Sequence, residues 1–214
     1  MADKDYWEFT DDFFGDSLDA KWTVTETGTP APVLVNPSSS GEYNMLHAVT
    51  TEAENICLDF GDFLCMDIDK IREVEFRVKG SQAAFDATSM CAFGISSARN
   101  DAHDSLAVQA SFRVVGADDT TAIVVETDAN GAGDNNDVAT AQTLVASYRD
   151  FVISFAEGTD DVRFFIDGQP VATGTTFDMS NYTGSVQLFA QMQKTSDNNT
   201  DGITIDRISI RGVR

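Results

Sequence analysis

Tyr148–Phe155 (YRDFVISF), Val162–Ile166 (VRFFI), Asp167-Gly168, Gln169–Val171 (QPV), Ser185–Gln193 (SVQLFAQMQ) and Ile203–Ile210 (ITIDRISI) follow one another in the last third of this 214-residue chain. Each apolar run is short, and turn residues separate it from the next. Asp-Gly between two such runs is a strong hairpin signal, because a type I′ turn needs positive φ at both central residues. The segment therefore predicts strands, with Asp167-Gly168 as a tight turn.

Upstream, Ile71–Val78 (IREVEFRV) alternates cleanly. Val74, Phe76 and Val78 fall on one face, and Glu73, Glu75 and Arg77 on the other. Tyr43–Val49, Asn55–Phe60, Ser89–Ile95, Leu106–Val115 and Ala122–Thr127 read as further strands. Thr27–Gly41 is a Pro/Gly/Ser-rich loop around Val33–Val35, Asp128–Asp137 (DANGAGDNND) a polar loop, and Ala139–Val145 a one-turn helix. Many short strands with turns between them predict an all-β fold of two packed antiparallel sheets. Without a repeat or a dividing linker, residues 11–214 form one domain. Residues 1–10 are an N-terminal arm or a first edge segment.

The phenylalanines of the alternating runs (Phe76, Phe93, Phe112, Phe151, Phe155, Phe164, Phe177 and Phe189) are expected in the core, with Phe14, Leu18 and Trp22. Tyr6, Trp7 and Phe9 either continue that core or dock elsewhere. His47 and His103 are expected at the surface or at strand ends. Cys57, Cys65 and Cys91 are odd in number and lack metal-type spacing, so reduced thiols are expected.

Formal net charge is −21, from 35 acidic and 14 basic residues. Such a chain repels phosphate, which argues against nucleic acid and anionic membranes as partners. The opening MADKDYWEFTDDFF has no basic stretch leading into an apolar run, so no signal peptide is expected, and the chain is read as made in a cytoplasm.

The order of strands after Tyr148, with Phe14-Gly-Asp-Ser-Leu18-Asp-Ala-Lys-Trp22 at the entrance, resembles the concanavalin A-like (laminin-G-like) jelly roll. That family implies a two-sheet antiparallel sandwich. Its laminarinase-type glycosidases carry Glu-x-Asp-x-Glu along one strand of a concave face. The nearest match, Glu73-Val74-Glu75-Phe76-Arg77, ends in arginine and reads instead as a solvent-facing charged ladder. With two histidines and no nucleophile elbow, no catalytic residues are assigned and no enzyme is expected.

Asp128, Asn130, Asp134 and Asp137 are the candidate calcium ligands, being hard oxygen donors on one loop, and Asp197–Gly202 is a second acidic turn. Acidic loops arise by chance in so negative a chain, so the expectation is no cofactor, with calcium the alternative. For sugar stacking the candidates are Tyr43, Tyr182 and Trp7.

The chain also resembles the compact jelly rolls among tailed-phage structural proteins. That resemblance implies a capsid decoration or cement protein on the virion exterior, a homotrimer clamping neighbouring subunits of the major capsid protein. Tyr6, Trp7, Phe9 and Tyr182 are the candidate contacts. The alternatives are a lectin-like module or adhesin binding surface glycans, and, behind it, a glycan hydrolase or lyase.

Overall fold

A computed structural model describes residues 6–35, 41–82, 84–131 and 134–214. In chain order the strands are β1 (Tyr6–Asp11), β2 (Thr23–Thr27), β3 (Val33–Leu34), β4 (Tyr43–Leu46), β5 (Glu54–Asp59), β6 (Met66–Asp67), β7 (Ile71–Gly80) and β8 (Ser89–Ser96). They continue with β9 (Val108–Val115), β10 (Ala122–Ala129), β11 (Asn135–Thr143), β12 (Arg149–Ser154), β13 (Arg163–Ile166), β14 (Gln169–Val171), β15 (Ser185–Lys194) and β16 (Gly202–Val213).

Two eight-stranded antiparallel sheets pack face to face as a jelly-roll sandwich. One runs β14-β13-β12-β7-β16-β4-β3, with β1 also on β16; the other runs β11-β10-β9-β8-β15-β5-β2, with β6 also on β15. The first sheet is built on β16. One of its edges pairs with β7 along most of its length, while the other pairs with β4 from Gly202 to Ile205 and with β1 from Ile208 to Val213. Asp167 and Gly168 take φ of 50° and 73°, as the Asp-Gly hairpin requires, and bring Ile166 opposite Gln169.

The core is a chain of aromatic rings between the sheets. Phe76 and Phe151 of the first sheet meet Phe93 of the second at 5.4 and 5.0 Å, Phe112 meets Phe151 and Phe164 at 5.1 and 5.3 Å, and Phe164 meets Phe177 at 4.9 Å. Tilted and edge-on packing at such spacings suits the ring quadrupoles.

Some expectations are corrected. Ala139–Val145 is no helical turn: most of it lies in β11, an edge strand carrying two left-handed residues, Asp137 and Ala141, and two register shifts against β10. Such bulges blunt an exposed edge. Phe14 is 71% exposed, and Phe13 takes the core place instead. A positive φ of 54° at Phe13 reverses the alternation and stacks its ring between Trp22 and Tyr43. The Asp11 carboxylate holds that turn, accepting from Phe13 N at 2.7 Å and Trp22 Nε1 at 2.7 Å. Gly41 lies against it, where a Cβ would stand 2.3 Å from Asp12 O.

Candidate functional site

The two sheets expose their outer faces differently. On the first sheet, Glu73, Glu75 and Arg77 point outward, with Val74, Phe76 and Val78 buried behind them. Their partners come from neighbouring strands: Arg211 lies 3.0 Å from Glu73, Arg207 pairs with Glu75, and Arg77 reaches Asp150 at 3.0 Å and Asp206 at 2.8 Å. The result is a half-exposed ladder of compensated charges.

On the second sheet the outward positions follow from the same alternation. Ile56, Leu58, Leu188, Ala190, Phe93, Ile95, Ala110 and Phe112 join the main core. Asn55, Cys57 and Asp59 of β5, Gln187, Phe189 and Gln191 of β15, and Gln109, Ser111 and Arg113 of β9 therefore face outward. Yet all of them are at least nine-tenths buried. The β8–β9 connection, residues 97–107, contacts Asn55, Phe189, Gln191 and Arg113, while residues 60–62 bond to Asp59 and Gln187 and β10 side chains bond to Gln109.

This connection inserts two side chains, His103 and Leu106, while its other residues stay exposed or half-buried. Leu106 packs with Ala92 and Phe189 in a small cluster separate from the main core, and His103 stands 6.4 Å from the Phe189 ring. Polar groups of the sheet bond to the connection. Gln191 Nε2 donates to Asn100 O at 2.9 Å, Asn55 Nδ2 donates to Asp101 Oδ1 at 3.0 Å, and Arg113 pairs with Asp104. Beside it, Asp62 Oδ1 accepts from Arg99 N at 2.6 Å and Gln187 Nε2 at 2.9 Å.

Besides Asp59 of β5, this face carries acidic residues on β10, as Glu126-Thr127-Asp128 followed by Asn130. One amide joins them: Gln109 Nε2 donates to Glu126 at 2.9 Å and to Asp128 at 2.8 Å. Ser111 Oγ donates to Gln109 Oε1 at 3.2 Å, which orients the amide. Arg113 pairs with Glu126 and lies 3.2 Å from Asp137. Burial, reinforced by Asp134, pushes the Asp128 carboxyl above the usual range, and the Gln109 bond works the other way. A pocket of about 540 Å³ opens beside this group, between Asp104, Asp128, Asp134 and Asp137. Asp128 was expected only as a calcium ligand, and its pairing with Glu126 through Gln109 escaped the sequence reading. Its signal was present as an acidic alternation one strand after Gln109-x-Ser111-x-Arg113.

The calcium candidates are drawn into other bonds. Asp128 accepts from Gln109, Asp134 Oδ1 accepts from Ala129 N at 3.1 Å, and Asp137 faces Arg113. Among the described residues, no group of three or more His, Cys, Asp or Glu could hold a metal ion. In the second acidic turn Asp201 is buried, and its Oδ2 accepts from Asp86 N at 2.5 Å.

Other expectations are corrected here. Tyr43 is 3% exposed and cannot stack on a sugar; burial, with Glu26 nearby, raises its phenol. His47 and His103 are buried, not superficial. His47 Nδ1 lies 3.3 Å from Glu54, whose other oxygen is 3.5 Å from Lys194 Nζ, all of them enclosed. Burial pushes both imidazoles below the ordinary histidine range. The three cysteines are free, with Cys65 exposed.

Tyr6, Trp7 and Phe9 lie on β1. Tyr6 is 58% exposed. Trp7 is half-buried against β16, with Nε1 donating to Val213 O at 3.1 Å and its ring over Gly212, where a Cβ would come within 2.5 Å. Phe9 packs edge-on against Trp22 and Phe60. Tyr182 is half-buried, its hydroxyl donating to Ser185 O at 2.8 Å. An open groove of about 890 Å³ runs beside Tyr6 and Trp7, flanked by Glu8, Arg72, Glu73 and Arg211.

No protein-family profile matches the sequence, and no curated protein matches it. Solved structures do match in shape. A Bacteroides ovatus GH16 protein of a mixed-linkage glucan locus, in complex with a product, superposes with a TM-score of 0.66 at 14% identity over 94% of this chain and 99% of that one. The Emp47p carbohydrate recognition domain superposes with a TM-score of 0.65 at 10% identity, over 97% and 95%. A carbohydrate esterase of the Shiga toxin-encoding bacteriophage phi24B gives 0.52 at 15% identity, over 90% of each chain. At these identities the likeness concerns the fold alone, and the fold is the concanavalin A-like jelly roll.

Proposed function

We propose that this chain is a non-enzymatic structural protein of a virion, a capsid decoration or cement protein that clamps neighbouring coat subunits from the capsid exterior. The carrying observation is that the chain closes its own second-sheet face: residues 97–107 cover part of it, and Gln109 Nε2 sits between Glu126 and Asp128. A glycosidase needs its two carboxyls to flank the scissile bond with a sugar between them. Here an amide already fills that gap, and Arg113 neutralises Glu126. What the molecule offers a partner is a rigid body with exposed apolar tips, Tyr6, Phe14 and Phe63. Many such copies, each held by modest contacts and grouped as trimers, would sum to a strong restraint on a lattice. The bacteriophage source of one structural neighbour is consistent with this setting. Immunogold labelling of virus particles from cells that make the chain is the test. Regular labelling of capsid exteriors is expected, and unlabelled particles defeat the reading.

A second reading is favoured by the structural neighbours, one named a carbohydrate recognition domain and another solved with a glucan product. In it the Tyr6/Trp7 groove stacks a surface glycan, with Arg211 and Glu8 bonding hydroxyls. Binding on a glycan array that is lost in Tyr6→Ala supports it; an array with no bound glycan removes it.

A further inference from the structure

The 97–107 connection is held down by few groups, and one of them titrates. Its buried side chains are His103, 0% exposed, and Leu106, 5% exposed. Neither ring nitrogen of His103 has a hydrogen-bond partner, and Asp104 Oδ1 stands 3.6 Å from Nδ1. A neutral imidazole tolerates such a site, whereas a charged one loses its hydration there without gaining a bond. Four charged groups bear on the ring: Asp104 from the connection itself, Arg113 from β9, Asp128 from β10 and Asp137 from β11. Phe189 of β15 contributes only its ring.

We propose that residues 97–107 form a strap released by acidification through His103, uncovering a strip of the second sheet that carries Asn55, Phe189, Gln191 and Arg113. That strip combines an aromatic face with amide donors and a guanidinium, and the strap's own carbonyls and carboxylates occupy those donors when it is closed. Release therefore exposes these groups to solvent without disturbing the sandwich core.

The sign follows from linkage. Burial, the largest influence, and Arg113 hold the folded-state value of His103 below its ordinary 6.5. The neutral ring thus stabilises the closed strap fully above that value. The contribution is lost as pH falls from 6.5 towards the lower folded value. Asp104 does not mimic this, because the neighbouring His103 ring and the charge of Arg113 hold it down at about 2.

Hydrogen exchange of the full chain, corrected for intrinsic rates, tests the proposal at about pH 7.5 and about pH 5.5. The reporters are the amides of Ser97, Ala102 and Leu106, which bond within or beside the strap. Their protection is expected to fall about three- to tenfold at the lower pH, with β7 and β16 amides unchanged. In His103→Phe, which keeps the ring contact and cannot titrate, the fall disappears. His103→Gln separates titration from packing: a strap open at both pH values also agrees. A pH effect that survives in His103→Phe assigns it to the carboxylates and overturns the proposal. No effect in the wild type, or equal loss in β7 and β16, does the same.

Discussion

The outer faces of the two sheets are built from similar materials and behave oppositely. Both carry arginines paired with carboxylates. On the first sheet, Arg207 and Arg211 are 41% and 59% exposed, so water screens each pair. On the second, Arg113 and Glu126 are 3% and 4% exposed. On the second sheet residues 97–107 fold back onto β8, β9 and β15, and Gln109 and Asp137 close in on the Arg113–Glu126 pair from β9 and β11. An ion pair in water contributes little, and the same pair under a strap becomes one whose halves cannot be separated cheaply. The lesson is that burial, not sequence type, decides whether a charge is decorative or structural here.

The largest effect is expected from Arg113→Ala. It leaves Glu126 buried against Gln109 alone and removes the partner of Asp104. Chemical denaturation is expected to show a loss of about 3–5 kcal/mol, the range for an uncompensated buried charge. A loss within the range of a surface pair would mean that water reaches the face and that the strap is not closed. Replacing both members, as in Arg113→Met with Glu126→Leu, is expected to recover much of the loss, since the cost lies in the orphaned charge.

A smaller effect is expected from Leu106→Ala, and in a different measurement. Leu106 packs on Ala92 and Phe189 apart from the main core, so its truncation weakens the strap and leaves the sandwich intact. Hydrogen exchange should show opening of residues 97–107 made easier by about 2 kcal/mol, the low end for a buried leucine. Global stability should change by less. Equal effects in both measurements would make the strap part of the cooperative core.

The sequence was legible where one rule governed each residue. Alternation at Val74, Phe76 and Val78 and the turn at Asp167-Gly168 are local signals, and the structure follows them. Phe13 and Phe14 show where locality ends: adjacent phenylalanines exchange roles because Asp11 stabilises a left-handed turn. The second-sheet face was the least legible part. Gln109, Ser111, Gln187 and Gln191 look like solvent-facing positions, and by strand geometry they point away from the core. Over Gln191 and Phe189 lies a polar connection (SARNDAHDSLA) whose only buried side chains are two residues three apart, His103 and Leu106. Hydrophobic patterning has no means of announcing a cover made of side-chain amides and carbonyls.

The smallest effect belongs to the open face. Arg211 lies 3.0 Å from Glu73 and opposite Glu8, so it stands between two glutamates across neighbouring strands. Its removal leaves like charges facing each other across β16, which argues for some loss. Against that, the side chain is 59% exposed and the glutamates keep their water. Salt screens such pairs further, and holding a long side chain in place costs entropy. The second argument is the larger, so Arg211→Ala is expected to change stability by about 0–1 kcal/mol, shrinking further in high salt. A loss approaching that of Arg113→Ala would show that the first-sheet ladder is not solvated in the working molecule, and that a partner or a second copy covers it.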